Sequence, residues 1–235
     1  MISIKQMIAI TLRSTINLLA AFVFMLLLNW MFTKMGAWFS GFPGVIEWDG
    51  LQIKAMSQTW NLKQVLGIYL LPYFGFVLIY LVFSIKRQVP IKLLPPIHLF
   101  FSWVYTLLIV AVFLVPVCEL FYRNGIYYVL SWIYFNRFEK ILFVFVLLML
   151  YMIRVFRISP VFSSSLNIQP YTFITGSLIL KQLPFLWYIP YLLLFLSVIV
   201  ISSPFSLHEN CLLTGLLFTL LVNTPLIAKY KVIIK

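Results

Sequence analysis

Apolar residues run along this chain in long blocks, each near the length of one membrane crossing, with short polar stretches between them. Crossing a hydrocarbon core takes about 20 residues of helix, with roughly 17–25 tolerated. Inside lipid the backbone has to bond to itself, so blocks of this length are helices. Five blocks read directly as spans, over 14–32, 65–85, 97–117, 183–203 and 211–227. A sixth, over 141–156, is shorter and holds Arg154 near its end, where the guanidinium can snorkel to the headgroups along its own stem. The pattern predicts an all-α, polytopic transmembrane helix bundle of six spans, forming a single membrane domain over 1–235.

The polar stretches add three expectations. Residues 33–64 open with Gly36, Gly41, Pro43 and Gly44 and continue from Leu51 to Trp60 in a helix-compatible amphipathic pattern, which predicts a helix lying on the membrane surface. Residues 118–140 centre on the aromatic run from Ile126 to Phe135, too short to cross and therefore expected to be interfacial or re-entrant. A crossing there would invert every later segment. Residues 1–13 alternate well enough for a short amphipathic lead-in along the inner surface. No small-x-small cleavage site follows the first block, so it reads as a span and not as a signal peptide.

Composition sharpens the class. The chain is 63% hydrophobic and 9% charged, whereas a soluble domain carries about 25% charged residues. With the N-terminus inside, the inner segments hold Lys5, Arg13, Lys86, Arg87, Lys92, Arg154, Arg157, Lys181, Lys229, Lys231 and Lys235. The outer ones hold Lys34, Lys54, Lys63, Arg123, Arg137 and Lys140, together with all five acids, Glu47, Asp49, Glu119, Glu139 and Glu209. Eleven of the 17 basic residues inside favour both termini in the cytoplasm and a multi-pass protein of inner-membrane type. The net charge of +12 is then mostly lysine and arginine near headgroups, and no soluble basic stripe offers itself to nucleic acid.

The chain also echoes itself. Leu62-Lys63-Gln64 leads to Pro72-Tyr73, and Leu180-Lys181-Gln182 leads to Pro190-Tyr191, at one offset of 118 residues, with Tyr69 matching Trp187. A second echo relates Phe22 to Leu27 with Phe143 to Leu148. Half-repeats over 1–117 and 118–235, three spans each, would be inverted relative to one another, as in many secondary transporters. Each proline removes a backbone hydrogen bond and releases a carbonyl one turn earlier, near Ile68 and Leu186. Gly75 would leave room for a ligand beside the first break. Tyr69, Pro72, Tyr73, Gly75, Trp187, Pro190 and Tyr191 are therefore the expected substrate path, with both prolines facing each other near the midplane.

Recognisable catalytic chemistry is lacking. No glycine-rich phosphate loop, nucleophile elbow, zinc-protease helix or paired-cysteine motif occurs, no carboxylate falls inside a predicted span, and no cofactor is expected. Cys118 and Glu119 close the third span on the side where His208, Glu209 and Cys211 open the sixth, which makes them weak metal or disulfide candidates. Asn17, Asn29 and Asn223 are expected to bond between helices. The resulting expectation is a non-enzymatic, small transporter-like protein of permease type for a neutral, amphipathic or lipid-like solute. The alternative is a structural or assembly subunit of a larger envelope complex. Its partners are then membrane lipids and other membrane subunits or copies of itself, not nucleic acid.

Overall fold

The first helix, α1 (Ile4–Phe39), runs unbroken for 36 residues, about 54 Å at 1.5 Å per residue. The computed structural model describes residues 4–41, 44–47, 50–53, 60–85, 95–158, 161, 184–201 and 207–229. The stretches 86–94 and 162–183, with Lys181-Gln182 of the repeat, lie outside the described residues. The expected lead-in is not a separate surface helix: from Ile4 onward it is the start of α1. Ser14, Leu18, Ala21, Phe22 and Met25 turn one stripe of α1 inward, at the spacing of a single helical face. Ile8, Leu12, Ile16, Val23 and Leu27 stay exposed.

A two-stranded hairpin follows, β1 (Gly44–Glu47) and β2 (Gly50–Ile53), with Val45 opposite Gln52 and Glu47 opposite Gly50. This corrects the surface helix expected from Leu51 to Trp60: Leu51 to Ile53 are strand, and 54–59 lie outside the described residues. The physical reason is local. β-Branched Val45, Ile46 and Ile53 favour strand, and the pairing of Glu47 with Gly50 closes the hairpin.

The remaining elements are helical. The second rod is α2 (Leu62–Val65), a π turn (Leu66–Leu70) and α3 (Leu71–Ile85). The third is α4 (Pro95–Ile109), a π turn (Val110–Leu114) and α5 (Val115–Phe121). Then come α6 (Ile126–Trp132), α7 (Arg137–Val155), a π turn (Pro184–Tyr188) leading into α8 (Ile189–Ile201), and α9 (Leu207–Lys229). Three helices among the described residues are long and apolar enough to cross a membrane, Met7–Phe39, Leu62–Ser84 and Ile97–Phe121. Pro184–Val200 is apolar but shorter. The predicted span 141–156 falls in α7, which also carries Arg137, Glu139 and Lys140; 211–227 falls in α9, which opens on His208-Glu209-Asn210. At seven residues α6 is too short to cross.

The third rod is the central pillar. Every residue from Ser102 to Val117 is buried, the pattern of a helix surrounded on all sides. α1, α3, α7 and α9 pack around it. α1 meets the second rod with backbone against backbone, since a Cβ on Gly36 would stand 1.9 Å from the Gly67 carbonyl oxygen. Small residues at such crossings let membrane helices approach closely.

Each of the three π turns ends two residues before a proline: Pro72, Pro116 and Pro190. Proline lacks an N–H and its ring crowds the carbonyl four residues back, and the wider turn relieves both. Pro116 has no partner in the repeat, yet shows the same geometry. The matching turns at 66–70 and 184–188 thus follow from their prolines and add no separate support for duplication.

Candidate functional site

The expected substrate path is not gathered in one place. The Leu186 carbonyl, one turn before Pro190, accepts a hydrogen bond of 2.5 Å from Ser14 Oγ, near the start of α1. Gly67, beside Ile68 and one turn before Pro72, lies against Gly36, near the end of α1. Those two points on α1 are 22 residues apart, or about 33 Å. The breaks therefore sit at opposite ends of the bundle and do not face each other at its middle.

They also differ in surroundings. At the second break Ser14 captures the released carbonyl, Trp103 Nε1 donates to the same hydroxyl at 3.2 Å, and Trp187 is fully buried. Tyr191 stacks on Phe195 of its own helix. Gly75 is filled from within the protein: a Cβ there would stand 2.4 Å from the Phe32 ring. It is a packing notch for α1 and not an approach for a ligand.

The first break opens on a cavity of about 250 Å³. The second rod lines it with Ile68, Tyr69, Pro72, Tyr73 and Phe76, and α1 adds Asn29 and Thr33. Ala111, Val115, Pro116 and Glu119 come from the third rod, Asn124 to Ile126 from the turn into α6, and His208 from α9. Two proline-interrupted rods thus share one cavity with Glu119 and His208.

Glu119 anchors that group. Its Oε2 accepts a 3.0 Å hydrogen bond from the Ile126 N–H, and its Oε1 lies 3.7 Å from His208 Nδ1. The His208 ring stacks on Phe76 with centroids 6.4 Å apart. Gly125 makes the carboxylate's position possible, because a Cβ would stand 2.2 Å from Oε2 and its φ is +50°. Arg123, at φ +54°, shares the strained turn, and such backbone gathers at binding sites. Cys118 and Cys211 are free thiols, the first half-buried and the second buried. Among the described residues, no three His, Cys, Asp or Glu side chains stand close enough to hold a metal ion.

The tyrosines are fixed by neighbours. Tyr69 lies between the rings of Trp60, 6.1 Å away, and Tyr128, 5.8 Å away, so α6 forms one wall. Of the expected interhelical asparagines, Asn29 lines the cavity, whereas Asn17 donates to the Arg13 carbonyl of its own helix at 2.7 Å. The part played by Pro116 and α6 is absent from the sequence reading. The signal available for it was a proline three residues before Glu119 at the end of a span. No protein-family description, curated protein or solved structure matches this chain.

Proposed function

We propose that this chain is a six-span, inner-membrane-type protein of permease type, with both termini in the cytoplasm, that binds and passes a small neutral, amphipathic solute. The observation that carries the reading is the cavity at the first break, with its mixed lining of aromatic rings, hydroxyls and the two amides Asn29 and Asn124. Small-molecule sites combine an apolar wall with a few placed polar groups, usually within about 300–1,000 Å³. At about 250 Å³ this one suits a compact solute better than a two-chain lipid. Glu119 already accepts from the Ile126 N–H and stands 3.7 Å from His208, so both its oxygens have neighbours within the protein. Uncharged hydrogen-bonding groups at Asn29, Thr33, Tyr69 and Tyr73 are what the lining offers a guest.

The duplication supports the reading less than the cavity does. In inverted copies α7 would match α1 and α8 would match α3. α1 packs along both α3 and α8, whereas α7 packs on the central π turn and makes no comparable contact with α8. The subunit alternative draws on that same α7, which buries Leu147, Tyr151 and Val155 and leaves Ile141, Phe145, Met149 and Ile153 exposed.

Native mass spectrometry of the purified protein separates the two readings. The wild type should carry a small organic adduct that the cavity-filling Thr33→Trp variant lacks, with both folded. A stoichiometric partner polypeptide with no such adduct would reject permease function in favour of the subunit.

A further inference from the structure

At the end of the bundle away from the cavity, Arg154 lies against Tyr80, whose buried hydroxyl has no hydrogen-bond partner, and the exposed Arg157 follows three residues on. Arg154, half-buried near the end of α7, places its guanidinium carbon 5.9 Å from the centre of the Tyr80 ring. Tyr80 stacks on Tyr105 with centroids 6.3 Å apart. Tyr80 is only 4% exposed, yet its Oη makes no hydrogen bond, and neither does Ser84 Oγ one turn further along α3.

Among the described residues, no ion pair joins a carboxylate side chain to these arginines. No Asp or Glu occurs from 50 to 118 or from 140 to 208. Glu139, on the same helix as Arg154, is 15 residues away at its start, about 22 Å along the axis. Glu119 is committed to Ile126 and His208 at the other end of the bundle. A buried hydroxyl without a partner is destabilising, and a half-buried guanidinium in a membrane protein needs a counter-charge. One group answers all of them. It must be anionic, offer several acceptor oxygens and match the planar guanidinium fork, which is the chemistry of a phosphate.

We infer that Arg154, Arg157, Tyr80 and Ser84 form a seat for a phosphate group at this end of the bundle. The surroundings favour the headgroup of an anionic phospholipid. Leu81 and Val82 flank Tyr80 and Ser84, and Met152 and Ile153 precede Arg154, all with exposed apolar side chains along which acyl chains can lie. Basic pockets between helices at a membrane boundary recognise lipid headgroups in this way. The seat is separate from the solute cavity and does not depend on transport.

The test is thermal unfolding of the full-length protein in neutral detergent, titrated with short-chain phosphatidylglycerol, phosphatidylcholine of the same chains, or inorganic phosphate. Phosphatidylglycerol should raise the unfolding temperature at concentrations where phosphatidylcholine does not. In Arg154→Gln/Arg157→Gln, and separately in the milder Tyr80→Phe, the half-saturating concentration should rise about tenfold, the scale of one lost charge-assisted hydrogen bond. A similar stabilisation by inorganic phosphate, lost in the same variants, would assign the seat to a phosphate from solution. Equal stabilisation by both lipids, or an unchanged phosphatidylglycerol response in both variants, would overturn the inference.

Discussion

Removing the hydroxyl of Ser14 takes away the donor that satisfies the Leu186 carbonyl and the acceptor used by the Trp103 indole. Both lie in a fully buried setting, where a stranded group costs about 1–3 kcal/mol. Ser14→Ala should therefore lower the unfolding temperature of the detergent-solubilised protein by several degrees. Asn17→Ala, which removes one exposed bond within α1, should leave it nearly unchanged. Equal effects would mean that Ser14 does not hold the second break. The sequence disclosed Pro190 and the carbonyl it releases, but not the residue that receives it. A serine 172 positions away becomes the partner only when α1 and the 184–188 turn are packed together. Glu119 and His208 were read only as members of a metal or disulfide grouping; here they stand 3.7 Å apart. Their place in the same cavity as Tyr69 and Tyr73 was not legible, because it depends on how the third rod crosses the second.

Helices were readable from hydropathy because lipid leaves the backbone few choices. Two helix starts are fixed by local capping that hydropathy alone does not reveal. Asn136-Arg-Phe-Glu139 starts α7 as a capping box, with Asn136 accepting from the Glu139 N–H at 2.9 Å and Glu139 from the Asn136 N–H at 2.7 Å. Asn61 and Gln64 do the same for α2. The hairpin escaped notice because four-residue strands carry little periodicity, while the polar alternation from Leu51 onward also fits a helix. Crossings between helices were hidden too. Gly36 and Gly67 look like loop punctuation and an ordinary span residue, yet they set the closest approach of α1 to the second rod. Gly36→Leu has to push those helices apart, a kind of overpacking that costs about 1–3 kcal/mol. The variant should unfold at a lower temperature and lose the small-molecule adduct. Wild-type stability with the adduct retained would show that the crossing does not shape the cavity.

For the whole molecule, the proposed six-span topology would put the solute cavity at the outer end of the bundle and the arginine seat at the inner end. The orientation comes from eleven basic residues against six, and the placement of the cavity from Glu119, His208 and the turn at Asn124. Both share one dependence. If the aromatic segment at Ile126 to Phe135 crossed, everything after it would invert; its helical part is α6, seven residues long. The most direct test is labelling by a membrane-impermeant maleimide on intact spheroplasts, in a Cys118→Ser/Cys211→Ser background. Single cysteines at Asn124 and Asp49 should react from outside, and those at Gln88 and Ser164 only after permeabilisation. Outside labelling at Ser164 would contradict the six-span arrangement, and outside labelling at Gln88 would turn the bundle over and put the cavity in the cytoplasmic half.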